Sequence, residues 1–143
     1  IDSEKMKTHK DSEKTVKVIA GKFNSTEGPV NKHNVQPLYF DVVLNKDKIF
    51  NFNLPETHNS FIYLINGEIK VGEKKHEKIT DSKLVLLTKG SKLKVESYIK
   101  SNFLLISGKP IGEKIARGGP FVMNTKAEIL EAINDYHNGT FVK

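Results

Sequence analysis

Arg117-Gly-Gly-Pro-Phe-Val-Met-Asn-Thr125 carries the chain from a glycine-rich reversal straight into a helix start, and it organises the rest of the sequence around it. Thr125 and Glu128 are spaced as a capping box, in which hydroxyl and carboxylate each satisfy an orphan backbone amide. A helix is therefore predicted over about 125–138. Ile129, Ala132, Ile133 and Tyr136 recur at helical spacing and should form its buried face, with Glu131, Asn134 and Asp135 on the other. Asn138 and Gly139 tolerate a left-handed backbone and bound the helix at its end. Upstream, Gly118, Gly119 and Pro120 suit either an ordinary turn or a close approach of backbone to a neighbouring surface.

From Thr15 to Ser107 the apolar residues alternate instead of cycling with a helical period. Leu38, Phe40, Val42 and Leu44 share one face of a strand, with Tyr39, Asp41 and Val43 on the other. Phe50, Phe52 and Leu54 alternate with Asn51 and Asn53 until Pro55, which cannot donate to a ladder. Ser60 to Ile65 is nearly all apolar, and Asn66-Gly67 before Glu68 to Gly72 reads as a two-residue hairpin turn. Further strands are expected at Lys83 to Leu87, Leu93 to Ser97 and Asn102 to Ser107, with Gly90 and Gly108 as breaks. Strands joined by short turns, with no helix before Thr125, predict an all-β antiparallel sandwich or jelly roll; alternation does not choose between them. There is no internal repeat.

The chain has 143 residues, enough for one substantial core and too few for two. It has no cysteine, which excludes disulfides and thiolate metal sites and points to a cytoplasmic setting. No apolar run reaches membrane-spanning length, and the first residues lack the apolar core of a signal peptide. The formal net charge is +6, but Arg117 is the only arginine among 23 basic residues. Lysines are scattered, without interleaved aromatics, so direct binding to nucleic acid is not expected. The densest charge run, Glu73 to Lys78, mixes both signs and is expected at a loop tip. Residues 1–14 are dense in mixed charge and are expected to be poorly ordered. With no Met at position 1, the sequence reads as a piece of a longer polypeptide.

Arg117 to Thr125, together with Gly108-Lys-Pro-Ile-Gly-Glu113 before it and Ile133-Asn-Asp-Tyr-His-Asn-Gly139 after it, resembles the closing third of a pirin-family protein. Gly28-Pro-Val30, Pro37-Leu-Tyr-Phe-Asp41 and Phe61-Ile-Tyr63 are similar in isolated words. Pirins are two-domain cupins. The resemblance implies that residues 1–14 are the charged interdomain linker and that residues 15–143 are the C-terminal cupin domain. It selects the cupin-type jelly roll, a double-stranded β-helix, with one C-terminal α-helix appended.

A catalytic cupin holds a divalent metal through a His-x-His pair, a following Glu and a later His, with a coordination position left for substrate. If the strand ending at Asn66-Gly67-Glu68 matches the end of the first cupin motif, the Glu position falls near Ser60 and the His pair around Asn53 to Glu56. Only His58 is close, and a lone loop histidine is expected to be solvated. The histidines at 9, 33, 58, 76 and 137 never form His-x-His. No catalytic or metal-ligating residue is therefore assigned in this chain; the resemblance implies Fe(II) or another divalent metal in an N-terminal cupin outside it.

Three functions follow from the resemblance. In the first, the chain supports or docks on the metal-bearing N-terminal cupin or another protein partner. Arg117, Gly118, Gly119, Pro120, Phe121, Met123 and Asn124 are its interaction candidates. The alternative reading makes Phe121 and Met123 core residues closing the barrel, and Arg117 a surface ion pair. In the second, the parent is a quercetin 2,3-dioxygenase-like enzyme whose catalytic metal lies in the other domain, so that this piece alone is not catalytic. In the third, the parent is a redox-linked transcription cofactor. The jelly-roll interior also offers a place for a small apolar molecule, with Tyr39, Asp41, His58 and Tyr63 as candidate polar contacts at its mouth.

Overall fold

Alternation of large apolar side chains builds two facing antiparallel sheets. The computed structural model describes residues 3–30, 34–72 and 78–142. The charge run from Glu73 to Lys78 therefore lies outside the described residues except for Lys78, as do His33 and His76. Two units divide the chain, Ile1–Pro110 and Ile111–Lys143.

The first unit contains strands β1 (Lys7–Lys10), β2 (Lys14–Ala20), β3 (Lys22–Phe23), β4 (Thr26–Glu27), β5 (Leu38–Leu44), β6 (Ile49–Asn53), β7 (Asn59–Asn66), β8 (Glu68–Val71), β9 (Ile79–Thr80), β10 (Lys83–Leu86), β11 (Lys92–Ser97) and β12 (Ser101–Gly108). One sheet has six strands in the order β1-β2-β5-β12-β7-β10, and the other has four in the order β6-β11-β8-β9. Val16, Val18, Phe40, Val42, Leu44, Ile62, Leu64, Phe103 and Leu105 from the larger sheet are buried with Phe50, Ile69, Leu93 and Val95 from the smaller. Each such side chain stabilises the fold by roughly 1.5–3 kcal/mol relative to exposure. Phe23 stacks on Phe50 at 5.6 Å and meets Phe40 edge-on at 5.7 Å, tying the β3–β4 ribbon into the same core. This is the all-β architecture the alternation predicts, in the jelly-roll form that the family resemblance selects.

The turn at Asn66-Gly67 is not a hairpin. β7 pairs with β12 and β10, whereas β8 pairs with β11 and β9, so the chain crosses from one sheet to the other at Gly67. Gly67 has φ +108°, and a Cβ there would run into Ser101. The Ser101 hydroxyl accepts the Glu68 amide at 3.0 Å, satisfying backbone at the crossing. Positive φ is thus needed here, as Asn-Gly signals, but for a change of sheet.

The charged N-terminal segment is also more structured than its composition predicts. Lys7–Lys10 forms an edge strand on β2, in register from Lys7 opposite Val18 to Lys10 opposite Thr15. Asp11 closes the turn, its carboxylate accepting the amides of Glu13 at 2.8 Å and Lys14 at 2.9 Å. Those amide bonds, first that of Glu13, and then Lys14 hold the Asp11 carboxyl far below the usual carboxylate range. The His9 ring lies 5.2 Å from Phe23. Local turn chemistry and one aromatic contact outweigh the low hydrophobicity.

The second unit contains β13 (Ala116–Gly118), β14 (Phe121–Met123) and α1 (Lys126–His137). β13 and β14 pair antiparallel, with Gly118 opposite Phe121, and Gly119 at φ +55° makes the turn. A Cβ on Gly118 would collide with Ile129, so the glycine does serve a close approach, of this ribbon to α1. The capping box forms as predicted: Thr125 Oγ1 accepts the Glu128 amide at 3.2 Å, and Glu128 Oε2 accepts the Thr125 amide at 2.7 Å. Gly139 follows the helix at φ +70°. Ile129 and Ala132 are buried and Ile133 half-buried, but Tyr136 is 66% exposed, against the expectation of a buried position. Its ring instead flanks Phe121 at 6.1 Å, on the rim of the ribbon.

Candidate functional site

His58 precedes β7, and its backbone amide donates to Pro55 O at 3.0 Å, a turn that directs the side chain inward. The residue is only 4% exposed, not solvated as a lone loop histidine would be. Nδ1 lies 3.0 Å from Ser107 Oγ, which also accepts a hydrogen bond from Ser60 Oγ at 2.8 Å. Ser60 and Ser107 are register partners on β7 and β12, so the sheet itself assembles the cluster. His58 Nε2 is buried without a hydrogen-bond partner. Burial, followed by the nearby Lys109 charge, holds the imidazole below its ordinary pKa of 6.5.

This cluster does not fit a divalent metal. Such a centre needs three or four converging imidazole and carboxylate ligands. Here one imidazole meets two neutral hydroxyls. Among the described residues no three His, Cys, Asp or Glu side chains gather as metal ligands.

Tyr39, Asp41 and Tyr63 lie elsewhere, on the outer face of the six-stranded sheet. Register sets Lys17, Asp41, Leu104, Tyr63 and Leu84 in one row across it. Tyr39, Ile106, Phe61 and Leu86 form the next. Asp41 Oδ1 accepts a hydrogen bond from Asn102 Nδ2 at 2.8 Å, so its carboxylate is committed within the sheet. The rows are unusually apolar for an outward face, with Leu84 57% and Leu86 76% exposed near the β10 edge.

A cleft that sequence reasoning missed opens between the sheets. It has a volume of about 660 Å³, and its apolar walls include Leu54, Val71, Val85 and Leu93. Tyr39, Asp41, His58 and Tyr63 do not line it. The available signal was the cluster of apolar strand-end residues around Gly72 and Gly90, which alternation alone assigns to the core.

In the second unit, Arg117 and Asn124 are exposed, while Phe121 and Met123 are half-buried. Asn124 Nδ2 donates to Glu113 Oε2 at 3.0 Å and to Lys114 O at 2.8 Å, bracing the ribbon. Phe121 meets Phe141 at 5.2 Å. Val122, opposite Arg117 in the ribbon, is 61% exposed.

A six-on-four antiparallel sandwich with this strand order and one terminal helix is a cupin jelly roll. Residues 39–142 match the family described as the pirin C-terminal cupin domain, and the chain belongs to that family. It is 34% identical over 128 residues to a pirin-like protein of Caulobacter vibrioides, covering 89% of this chain and 45% of that protein. Against human pirin it is 35% identical over 127 residues, covering 87% of this chain and 43% of pirin. The solved structure of a quercetin 2,3-dioxygenase from Acinetobacter baumannii superposes with a TM-score of 0.86 at 28% identity, covering 99% of this chain and 49% of that one. The chain thus spans about half the length of these relatives. Among the described residues no helix is long and apolar enough to cross a membrane.

Proposed function

We propose that this chain is the C-terminal half of a pirin-like bicupin and that it works without a metal of its own. In this role it supports and docks on a metal-bearing N-terminal cupin outside the sequence. The observation that carries the reading is the outer face of the six-stranded sheet, where Tyr63, Leu84 and Leu86 leave a contiguous apolar surface open to water. Covering such a surface is favourable by roughly 25 cal/mol per Å² of apolar area, and a missing half-length domain supplies an occupant. The ribbon adds a second contact in the same reading: exposed Arg117 offers a planar guanidinium for a carboxylate, beside Gly118, Gly119, Pro120, Phe121, Met123 and Asn124. Fe(II) or another divalent metal would then belong to the partner cupin. Intact mass of the protein purified from its own cells tests this, and a polypeptide long enough for a second cupin is expected. A native chain ending with residues 1–143 alone would overturn it.

The likeness to the Acinetobacter quercetin 2,3-dioxygenase favours a second reading, in which the whole protein cleaves a flavonol and this half only stabilises the catalytic one. Quercetin turnover by the native protein and none by residues 1–143 is the expected pattern. Turnover by this chain alone would reject both readings.

A further inference from the structure

We infer that the cleft between the sheets is a binding site for a small molecule with an apolar body and one anionic head, a monocarboxylate of medium chain length. The inference does not depend on a partner domain. The cleft volume, about 660 Å³, is that of a small-ligand pocket, within the range of roughly 300–1,000 Å³. That size suits a small molecule, not a protein segment. Leu54 and Leu93 belong to the buried core, and Val71, Ile79, Val85 and Leu87 pack against it while remaining only partly covered. The opening therefore exposes the edge of the core itself. An apolar chain laid there replaces water against side chains from both sheets.

Among the described residues that line the opening, the charged ones are Lys89, Lys92 and Lys94. Lys94 is engaged with Glu96 at 2.7 Å. Lys89 and Lys92 are exposed, and no carboxylate joins them among the described residues that line the cleft. An apolar wall with a cationic rim selects an anionic amphiphile over its neutral or cationic counterpart.

The test titrates decanoate, 1-decanol and decyltrimethylammonium, each below its micellar concentration, into the whole chain. Backbone amide shifts are followed by NMR, with Gly72 and Gly90 as reporters in the cleft lining. Saturable binding of one decanoate is expected to move both glycine amides. Decanol should bind roughly threefold to tenfold more weakly, as expected for a head group near surface charges, and decyltrimethylammonium more weakly still. The double variant Lys89→Gln/Lys92→Gln should lose the preference for decanoate while keeping the binding of decanol. Val85→Phe should narrow the cleft and weaken all three ligands. If that variant fails to fold, the lysine variant and the amide mapping still decide. Silent Gly72 and Gly90 amides, shifts centred on Tyr63 and Leu84 of the outer face, or equal affinity for decanoate and decanol would each overturn the inference.

Discussion

His58 Nδ1 lies 3.0 Å from Ser107 Oγ, while Nε2 of the same ring is buried with no partner. The imidazole is therefore held neutral, because protonation would place a second buried N–H without an acceptor near Lys109. Its pKa lies below 6.5 in the folded state, so as pH falls through 6.5 the unfolded chain takes up a proton that the native chain refuses. The His58 contribution to stability is fully present above 6.5 and is lost as pH drops through the depressed folded value. Urea denaturation at neutral and mildly acidic pH should show the loss, and His58→Phe should flatten that part of the profile. An unchanged profile in the variant would assign the pH dependence to other groups.

His58→Ala should cost about 1–3 kcal/mol at neutral pH, since it removes a buried side chain and one partner of the Ser107 hydroxyl. Ser60 remains as the donor to Ser107, which keeps the cost toward the lower end. The midpoint of urea unfolding measures it.

Gly67→Ala should destabilise by more than about 1 kcal/mol, because an L side chain is strained at positive φ and here also meets Ser101. Gly90→Ala should be near neutral, since that glycine lacks positive φ and an added methyl would meet no atom within 4 Å. Equal costs for the two, read by thermal unfolding, would contradict the role given to the sheet crossing.

Thr125→Ala should cost about 1 kcal/mol through loss of the cap. The effect belongs in the second unit: amide exchange should quicken in Lys126–His137 and leave the strands of the first unit unchanged.

Much of this architecture was legible residue by residue. Leu38 to Leu44 alternates cleanly because one sheet face is buried, and Thr125 with Glu128 marks the helix because capping is local. Sheet partners were less accessible: Asn66-Gly67 reports only that positive φ is needed, and a change of sheet needs it as much as a hairpin does. Composition misled at Lys7–Lys10, where the Asp11 turn and an edge pairing supply order that low hydrophobicity does not reveal. Periodicity misplaced Tyr136 because the buried stripe of α1 stops at Ile133. Tyr39, Asp41 and Tyr63 share a face with one another but not with His58, since alternation gives a side of a strand and not which side looks inward.

Leu84→Lys with Leu86→Lys should change the stability of this chain alone by no more than about 0.5 kcal/mol per site, as both side chains are exposed. If the proposed bicupin pairing holds, an added N-terminal cupin half should bind the double variant more than about tenfold more weakly, since two apolar contacts are replaced by charges. Titration calorimetry of the two halves reads this. Unchanged affinity would remove the outer sheet face from the proposed interface.

Metal content after loading tests the central claim most directly. Purified residues 1–143, exposed to Fe(II), Ni(II) or Mn(II) and then desalted, should retain far less than one ion per chain by elemental analysis. One ion per chain, lost on replacing His58, would place a metal centre inside the sandwich and contradict the account.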